Sequence, residues 1–322
     1  MSDSPAGTSA PALMMGAADS RVVGAAIERL RAAYSPLPDK PEETPEAAVA
    51  ALWHLAAGTA WSADRARQMP LTVLDATGRT RLEALLERRI AGEPLAYLTG
   101  RQQFLGLELL ADPAALIPRR ETELLARQAI AMLHALPEEP EGPLVIDVCT
   151  GGGNVALAIA AHVARARVLC ADLSPEAAAL ARRNAELCGF GARVDVRVGD
   201  LLQPFNEGEF AGRVAIVTCN PPYIPTRSLE RLPGEIAGHE PRLAFDGGPL
   251  GLSIVHRLVQ DAPRYLRPGG AVMFEVGRGQ GALLLGRIGR GGRFADVAGV
   301  PDAANEVRVI VARVGHPAAP VT

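Results

Sequence analysis

From about Ser20 to Ile90 apolar residues recur at helical spacing, as in Val23, Ile27 and Leu30 and again in Leu82, Leu85 and Leu86, with Pro and Gly clusters between them. The pattern predicts a small helical domain. Ahead of it, residues 1–19 mix small, polar and apolar side chains without period and read as a disordered tail. The stretch Ser35 to Pro45 carries four prolines and no apolar period, so it reads as a surface connection between two helices. Between Gln102 and Ile117 short β-like runs, QQFLGLELL and ALI, are split by Gly106 and by Asp112-Pro113, which predicts a hairpin linking two domains. After Pro118, Leu124, Leu125, Ile130 and Leu133 place a helix at the entrance of the second domain.

Thereafter strands and helices alternate. The strand candidates are 144–148, 167–172, 193–198, 213–219, 271–276 and 306–313, with helices opening at Asn154 and Pro175. Near-continuous apolar strands separated by helices predict an α/β fold whose mostly parallel sheet is covered on both faces. The last two candidates, preceded by RFADV, are expected to form an antiparallel edge.

At 322 residues and 48% hydrophobic composition the chain can bury two cores, which agrees with two domains. No basic start followed by an apolar run and no long uncharged stretch is found, so neither secretion nor membrane spanning is predicted. Cys149, Cys170, Cys188 and Cys219 lack metal-ligand spacing and are read as reduced, cytoplasmic thiols; no metal site is assigned. A formal net charge of -3 argues against direct nucleic-acid binding driven by phosphate neutralisation. Lys40 is the chain's sole lysine, and the excess of arginine over lysine reads as genome composition rather than phosphate recognition.

The run VIDVCTGGGNVALAIA places Asp147 inside the first strand, a turn at Gly151, Gly152 and Gly153, and a helix opening at Asn154. Glycine there lets the backbone approach a ligand at the helix N-terminus, although a ligand-free tight turn has the same appearance. The second strand ends at Asp172, where a carboxylate can accept both hydroxyls of a ribose. The third ends at Gly199-Asp200, where a second carboxylate can accept an exocyclic adenine amine. Each acid alone is as readily a solvated loop residue or a helix cap; three around one glycine loop point to an adenosine ligand. A pyrophosphate disfavours acidic neighbours, whereas a sulfonium with its ammonium group is favoured near Asp147. The balance tilts from NAD to S-adenosylmethionine.

Directly after the apolar strand RVAIVTC comes Asn220-Pro221-Pro222-Tyr223. Two successive prolines stop the strand and hold the turn's carbonyls outward as rigid acceptors. A planar amino nitrogen is a poor nucleophile because its lone pair is delocalised. Accepting its two N–H groups, one on the Asn220 side-chain oxygen and one on the Pro221 carbonyl, would aim the lone pair and stabilise the charge that develops on methylation. Tyr223 is expected to cover the planar group.

These pieces, with GEPLAYLTGRQQFLGLELL, LIPRRETELL, DLSPEAAALARRNAE, EPRLAFDGGPLGLSIVHRLV and FEVG, resemble the HemK family of peptide chain release factor glutamine methyltransferases over about residues 80–280. The resemblance implies a seven-stranded Rossmann-like S-adenosylmethionine-dependent domain at 119–315, a helical substrate-recognition domain at 20–100 and a hairpin linker at 101–118. It implies that Thr150, Gly151, Gly152, Gly153 and Asp172 hold the cofactor; with the strand-end acids read above and their neighbours, the candidate cofactor residues are these together with Asp147, Cys149, Asp200, Leu201 and Asn220. Asn220, Pro221, Pro222 and Tyr223 would bind a glutamine amide in the Gly-Gly-Gln loop of a release factor. Glu121 and Thr122 would line the pocket or cap a helix. Cys149 stands where the family has the first loop glycine, Arg120 where proline is usual, Leu201 where an aromatic follows the acid, and NEVRV replaces the usual Asp-Arg-Val ending. Such departures keep open methylation of another protein glutamine or of a nucleic-acid amino group, and a non-catalytic binding protein.

Overall fold

The computed structural model describes residues 17–34 and 36–315. Five helices form the N-terminal unit: α1 (Ala17–Ala33), α2 (Pro45–Ala56), α3 (Ala63–Ala66), α4 (Ala76–Ile90) and α5 (Leu95–Thr99). Side chains of Thr44, Ser62 and Asp75 accept backbone N–H groups at the starts of α2, α3 and α4, and Gly100 in the left-handed region ends α5. Leu30, Leu52, Trp53, Leu82 and Leu86 close a core of its own. Most of the expected tail lies outside the described residues. Helix α1 nevertheless begins at Ala17, and Asp19 is already buried against Arg79 at 2.8 Å.

The hairpin is β1 (Arg101–Phe104) and β2 (Leu107–Leu110); the ALI run adds no strand to it. Phe104 and Leu109 join the core on one face of the large sheet, so the linker is packed rather than free. Then follow α6 (Glu123–His134), β3 (Leu144–Val148), α7 (Asn154–His162), β4 (Arg167–Asp172), α8 (Pro175–Leu187), β5 (Val194–Val198), α9 (Glu207–Phe210) and β6 (Val214–Cys219). The chain ends with α10 (Gly234–His239), α11 (Ser253–Asp261), β7 (Leu266–Glu275), α12 (Gly281–Arg290), β8 (Asp296–Pro301) and β9 (Val307–Arg313).

The seven-stranded sheet has the order β5-β4-β3-β6-β7-β9-β8. Strands β3 to β7 run parallel, and β9 is antiparallel to both neighbours. The expectation that the last two candidates form the edge is half right. Strand β7 is an interior strand whose residues Gly270–Glu275 are almost wholly buried, while the edge is β8, which extends beyond the RFADV run and is largely open to solvent. Order reverses between β4 and β6 at β3, so the carboxyl ends of these strands open a crevice, the usual ligand position in such sheets.

The segment before α2 is a surface connection only in part: Pro36, Pro38 and Pro41 are exposed, but three charged residues between and after them are not. Lys40, Glu42 and Glu43 are buried because each meets an opposite charge, Lys40 and Glu42 from the second unit and Glu43 from Arg89 within the helical unit. Lys40 Nζ lies 2.9 Å from Glu235, Arg89 binds both Glu43 at 3.0 Å and Glu235 at 2.9 Å, and Arg119 joins Asp39 at 2.7 Å and also Glu240. Proline content signals loss of helix, not exposure, and ion pairing lets charge go inside. Among the described residues no helix is long and apolar enough to cross a membrane.

Candidate active site

Crossover at β3 places a cleft of about 160 Å³, open to solvent, over the ends of β3, β4, β5 and β6. Asp147, Cys149, Thr150, Gly151, Asp172, Asp200, Leu201, Asn220 and Pro222 line it, together with Thr122. Ten residue positions scattered through almost a third of the chain thus converge on one cleft. Pro221 is buried at the turn itself, and Tyr223 is held by its hydroxyl, 3.2 Å from Glu275 Oε1 and 3.4 Å from Glu121 Oε1.

The three glycines divide the work differently from the sequence expectation. Gly151 faces the cleft, and a Cβ there would meet only Ala115 at 3.9 Å. Gly153, at φ +86°, is needed for packing: its Cβ would stand 3.2 Å from Ala181 in α8, and Gly152 likewise looks onto Leu180 and Asn184. Cys149 and Leu201 both occupy left-handed backbone, at φ 54° and 51°, without being glycine. Local strain of this kind concentrates where a structure holds its loops for a ligand.

Asp172 Oδ2 accepts the Gly151 N–H at 2.8 Å and Oδ1 accepts the Ser174 N–H at 2.9 Å. Each oxygen keeps a lone pair for a diol, and burial pushes the carboxyl upward while those backbone donors pull it down. Asp147 is 1% exposed; it takes hydroxyl protons from Thr150 and Thr218, both at 2.6 Å. Burial lifts it to about 6 against the pull of the two hydroxyls, so a cation entering the cleft finds an acid that gains by ionising beside it. Thr218 carried no sequence signal. Asp200 is not a free carboxylate: Arg257 on α11 binds its Oδ2 at 2.6 Å, which leaves Oδ1 for an amine.

Asn220 caps β6 and donates Nδ2 to Thr122 Oγ1 at 3.0 Å. The backbone of the turn is clamped from behind by residues 245–251. Ile224 N–H bonds to Phe245, Gly247 N–H to Ile224, and Gln280 Nε2 to the Tyr223 carbonyl at 3.0 Å. Side chains are excluded there, since a Cβ at Gly251 would fall 2.1 Å from the Tyr223 carbonyl oxygen. Glu121, Glu275 and Arg308 form a charged group beside Tyr223; Arg308 is 3.0 Å from Glu121 and 3.7 Å from Glu275. Glu275 is pushed up to about 7 by burial and by the Glu121 charge, against Thr122, Arg308 and Tyr223. Glu275 and Arg308 were missed as site residues; only the FEVG string hinted at the former.

The sequence matches the methyltransferase-domain family over residues 145–238 and the PrmC N-terminal-domain family over residues 25–100. Sheet order, glycine turn and acidic strand ends define a Rossmann-like methyltransferase. The chain is 40% identical over 231 residues to the release factor glutamine methyltransferase of Geobacter sulfurreducens, covering 72% of this chain and 77% of that one. It belongs to the release factor glutamine methyltransferase family. It is also 38% identical over 217 residues to the 4-amino-L-phenylalanine/4-methylamino-L-phenylalanine methyltransferase of Streptomyces pristinaespiralis, covering 67% and 72%. The solved hMettl16 catalytic domain, in complex with MAT2A 3'UTR hairpin 1, has a TM-score of 0.52 at 16% identity over 79% of this chain and 85% of its own, a likeness of fold.

Proposed function

We propose that this protein methylates the N5 amide nitrogen of glutamine in the Gly-Gly-Gln loop of a translation release factor, with S-adenosylmethionine as donor, in the cytoplasm. The observation that carries the reading is the bond from Asn220 Nδ2 to Thr122, which commits the donor end of that amide inward and leaves Oδ1 for the cleft. The residues fit the donor molecule: Asp172 suits the ribose, Asp200 with Leu201 the adenine, and Gly151 with Asp147 and Thr150 the amino-acid end. When bound, S-adenosylmethionine supplies an electrophilic methyl group.

Asn220 Oδ1 and the Pro221 carbonyl accept the two amide hydrogens of the substrate. With its N–H bonds held in one plane, the nitrogen presents its lone pair toward the donor. Both oxygens also stabilise the positive charge that arises on nitrogen, and the proton then leaves to water or to the Pro221 carbonyl. The helical unit at 20–100, the packed hairpin at 101–118 and the catalytic unit at 119–315 leave the first free to recognise the protein substrate.

The test is single-turnover transfer of labelled methyl to a release factor, beside the same factor with its Gly-Gly-Gln glutamine replaced. Free 4-aminophenylalanine is included because the same two acceptors fit an aromatic amine. Asn220→Ala should slow transfer roughly a hundredfold to a thousandfold with little change in cofactor affinity. Labelling of the aromatic amine but not of the factor would replace the substrate assignment; a wild-type rate in Asn220→Ala would refute the chemistry.

A further inference from the structure

Between Asn220 and Gly251 the chain leaves the sheet and returns, and among the described residues none of this stretch joins the apolar cores of the sheet or of the helical unit. Its large buried apolar side chains, Leu229 and Ile236, stand apart from them. The far end of the stretch nevertheless bears on the site. Ile224 N–H donates to the Phe245 carbonyl at 2.9 Å, Gly247 N–H donates to the Ile224 carbonyl at 2.9 Å, and a Cβ on Gly247 would stand 2.6 Å from the Pro222 carbonyl oxygen. Residues 245–247 are the back wall of the Asn220–Tyr223 turn. Without an apolar core, polar contacts must hold that wall.

The grip is on α10, which precedes the wall. Glu235 lies in its first turn and accepts Lys40 Nζ on Oε1 and Arg89 Nη1 on Oε2, each at 2.9 Å, so two cations of the helical unit share one carboxylate. That side chain is 8% exposed, and both cations are fully buried. Glu240 ends the helix; its Oε2 accepts the Ile117 N–H at 3.1 Å, its Oε1 accepts Arg119, and Arg119 reaches on to Asp39 of the helical unit at 2.7 Å. Each end of α10 is thus tied by charge to residues outside its own stretch. Moving it by a few ångströms would strand buried charge in the interface, which is costly.

We infer that Glu235 is a positioning residue: gripped by Lys40 and Arg89, it fixes α10 and, through it, residues 245–247 behind the Asn220–Tyr223 turn. The helical unit is then part of the catalytic apparatus as well as a surface for the substrate. The consequence in rate rests on the glutamine-methylation reading; the anchoring does not.

The experiment has two arms, both on the full-length protein. Glu235→Gln keeps the shape of the side chain and removes the charge that both cations face. Glu43→Gln is the matched control, since it takes a similarly buried carboxylate from the same Arg89 without touching α10. In the first arm, steady-state methyl transfer to the release factor is measured. Glu235→Gln should lower kcat roughly tenfold to a hundredfold, as a displaced reacting group does, with KM for the factor within about twofold of wild type, and Glu43→Gln should keep the wild-type kcat. In the second arm, exchange of backbone amides is followed without substrate. The Ile224 and Gly247 amides should exchange about tenfold faster in Glu235→Gln than in wild type or Glu43→Gln, with the amides of β3 and β4 unchanged. Lys40→Met, which takes away one of the two cations, stands in if Glu235→Gln does not fold. A raised KM at unchanged kcat, unchanged exchange at Ile224 and Gly247, or equal acceleration in Glu43→Gln would overturn the role. Failure of the wild type to methylate any factor would sink the substrate reading alone, since the exchange arm still decides for or against Glu235.

Discussion

Replacing Arg89 by methionine tests how firmly the two units are joined. The guanidinium is fully buried; it donates to Glu43 at 3.0 Å, to Glu235 at 2.9 Å and to the Glu93 carbonyl at 2.9 Å. Its Cζ lies 3.9 Å from the centre of the Tyr34 ring. Methionine keeps much of the volume and the contact with that ring, so the loss is mainly electrostatic. Two carboxylates remain in the interface with Lys40, 2.9 Å from Glu235, as the nearest compensation. Removing one partner of a buried ion pair costs about 3 to 5 kcal/mol. Glu43, already pushed up by burial, limits the damage by taking a proton once its cation is gone, so the loss should deepen as pH rises above the ordinary carboxylate range. Both tryptophans, Trp53 and Trp61, lie in the helical unit, so fluorescence in urea follows that unit while circular dichroism follows the whole chain. The fluorescence transition should move to lower urea and separate from the dichroism transition, and adding Glu43→Gln should recover part of the loss. A destabilisation below about 1 kcal/mol at pH 8, or one independent of pH, would refute the reasoning.

Glu275 titrates at about 7 when folded against an ordinary value of 4.5, so the folded state holds the extra proton between those limits. Its contribution is full below the lower value and is lost as pH rises through the upper, roughly 3 kcal/mol in all; Glu275→Gln should remove that decline, and parallel urea-midpoint profiles for variant and wild type would contradict it. Gly153→Ala should cost about 1 to 3 kcal/mol through left-handed strain and the clash with α8, whereas Gly151→Ala should weaken adenosylhomocysteine binding more than it lowers stability; calorimetry and thermal melts separate the two. Asp172→Ala removes an acceptor of the Gly151 N–H as well as a ribose partner, and should weaken adenosylhomocysteine by roughly 2 to 4 kcal/mol with the fold retained. Unchanged affinity would take Asp172 out of the site.

Most of the architecture was readable from periodicity. The run Val214–Cys219 is buried at every position, and such a run ending in Asn-Pro-Pro can hardly be anything but a central strand followed by a rigid turn. Strand order at the far end was not readable, because apolar runs such as those of β7 and β9 look alike and pairing is decided by packing over long separations. Of the site, the residues carried on glycine, proline and acidic strand ends were visible because their chemistry is local. The Thr218 hydroxyl on Asp147, Arg257 on Asp200 and Arg308 beside Glu121 come from distant elements and leave no mark in spacing. Lys40, Glu42 and Glu43 were misplaced for a different reason: a charge reads as solvated until its partner is known.

The burial of Lys40 has a practical side. It is the chain's sole lysine, and its side chain has no exposed surface. Reagents that couple to ε-amines therefore find one target in the whole molecule, and in the native fold that target is shut. Acylating or cross-linking chemistry that labels most proteins at many points should leave the ε-amine of this one untouched until the interface between its units opens. Modification at Lys40, read on the peptide that carries it, then becomes a clock for that opening.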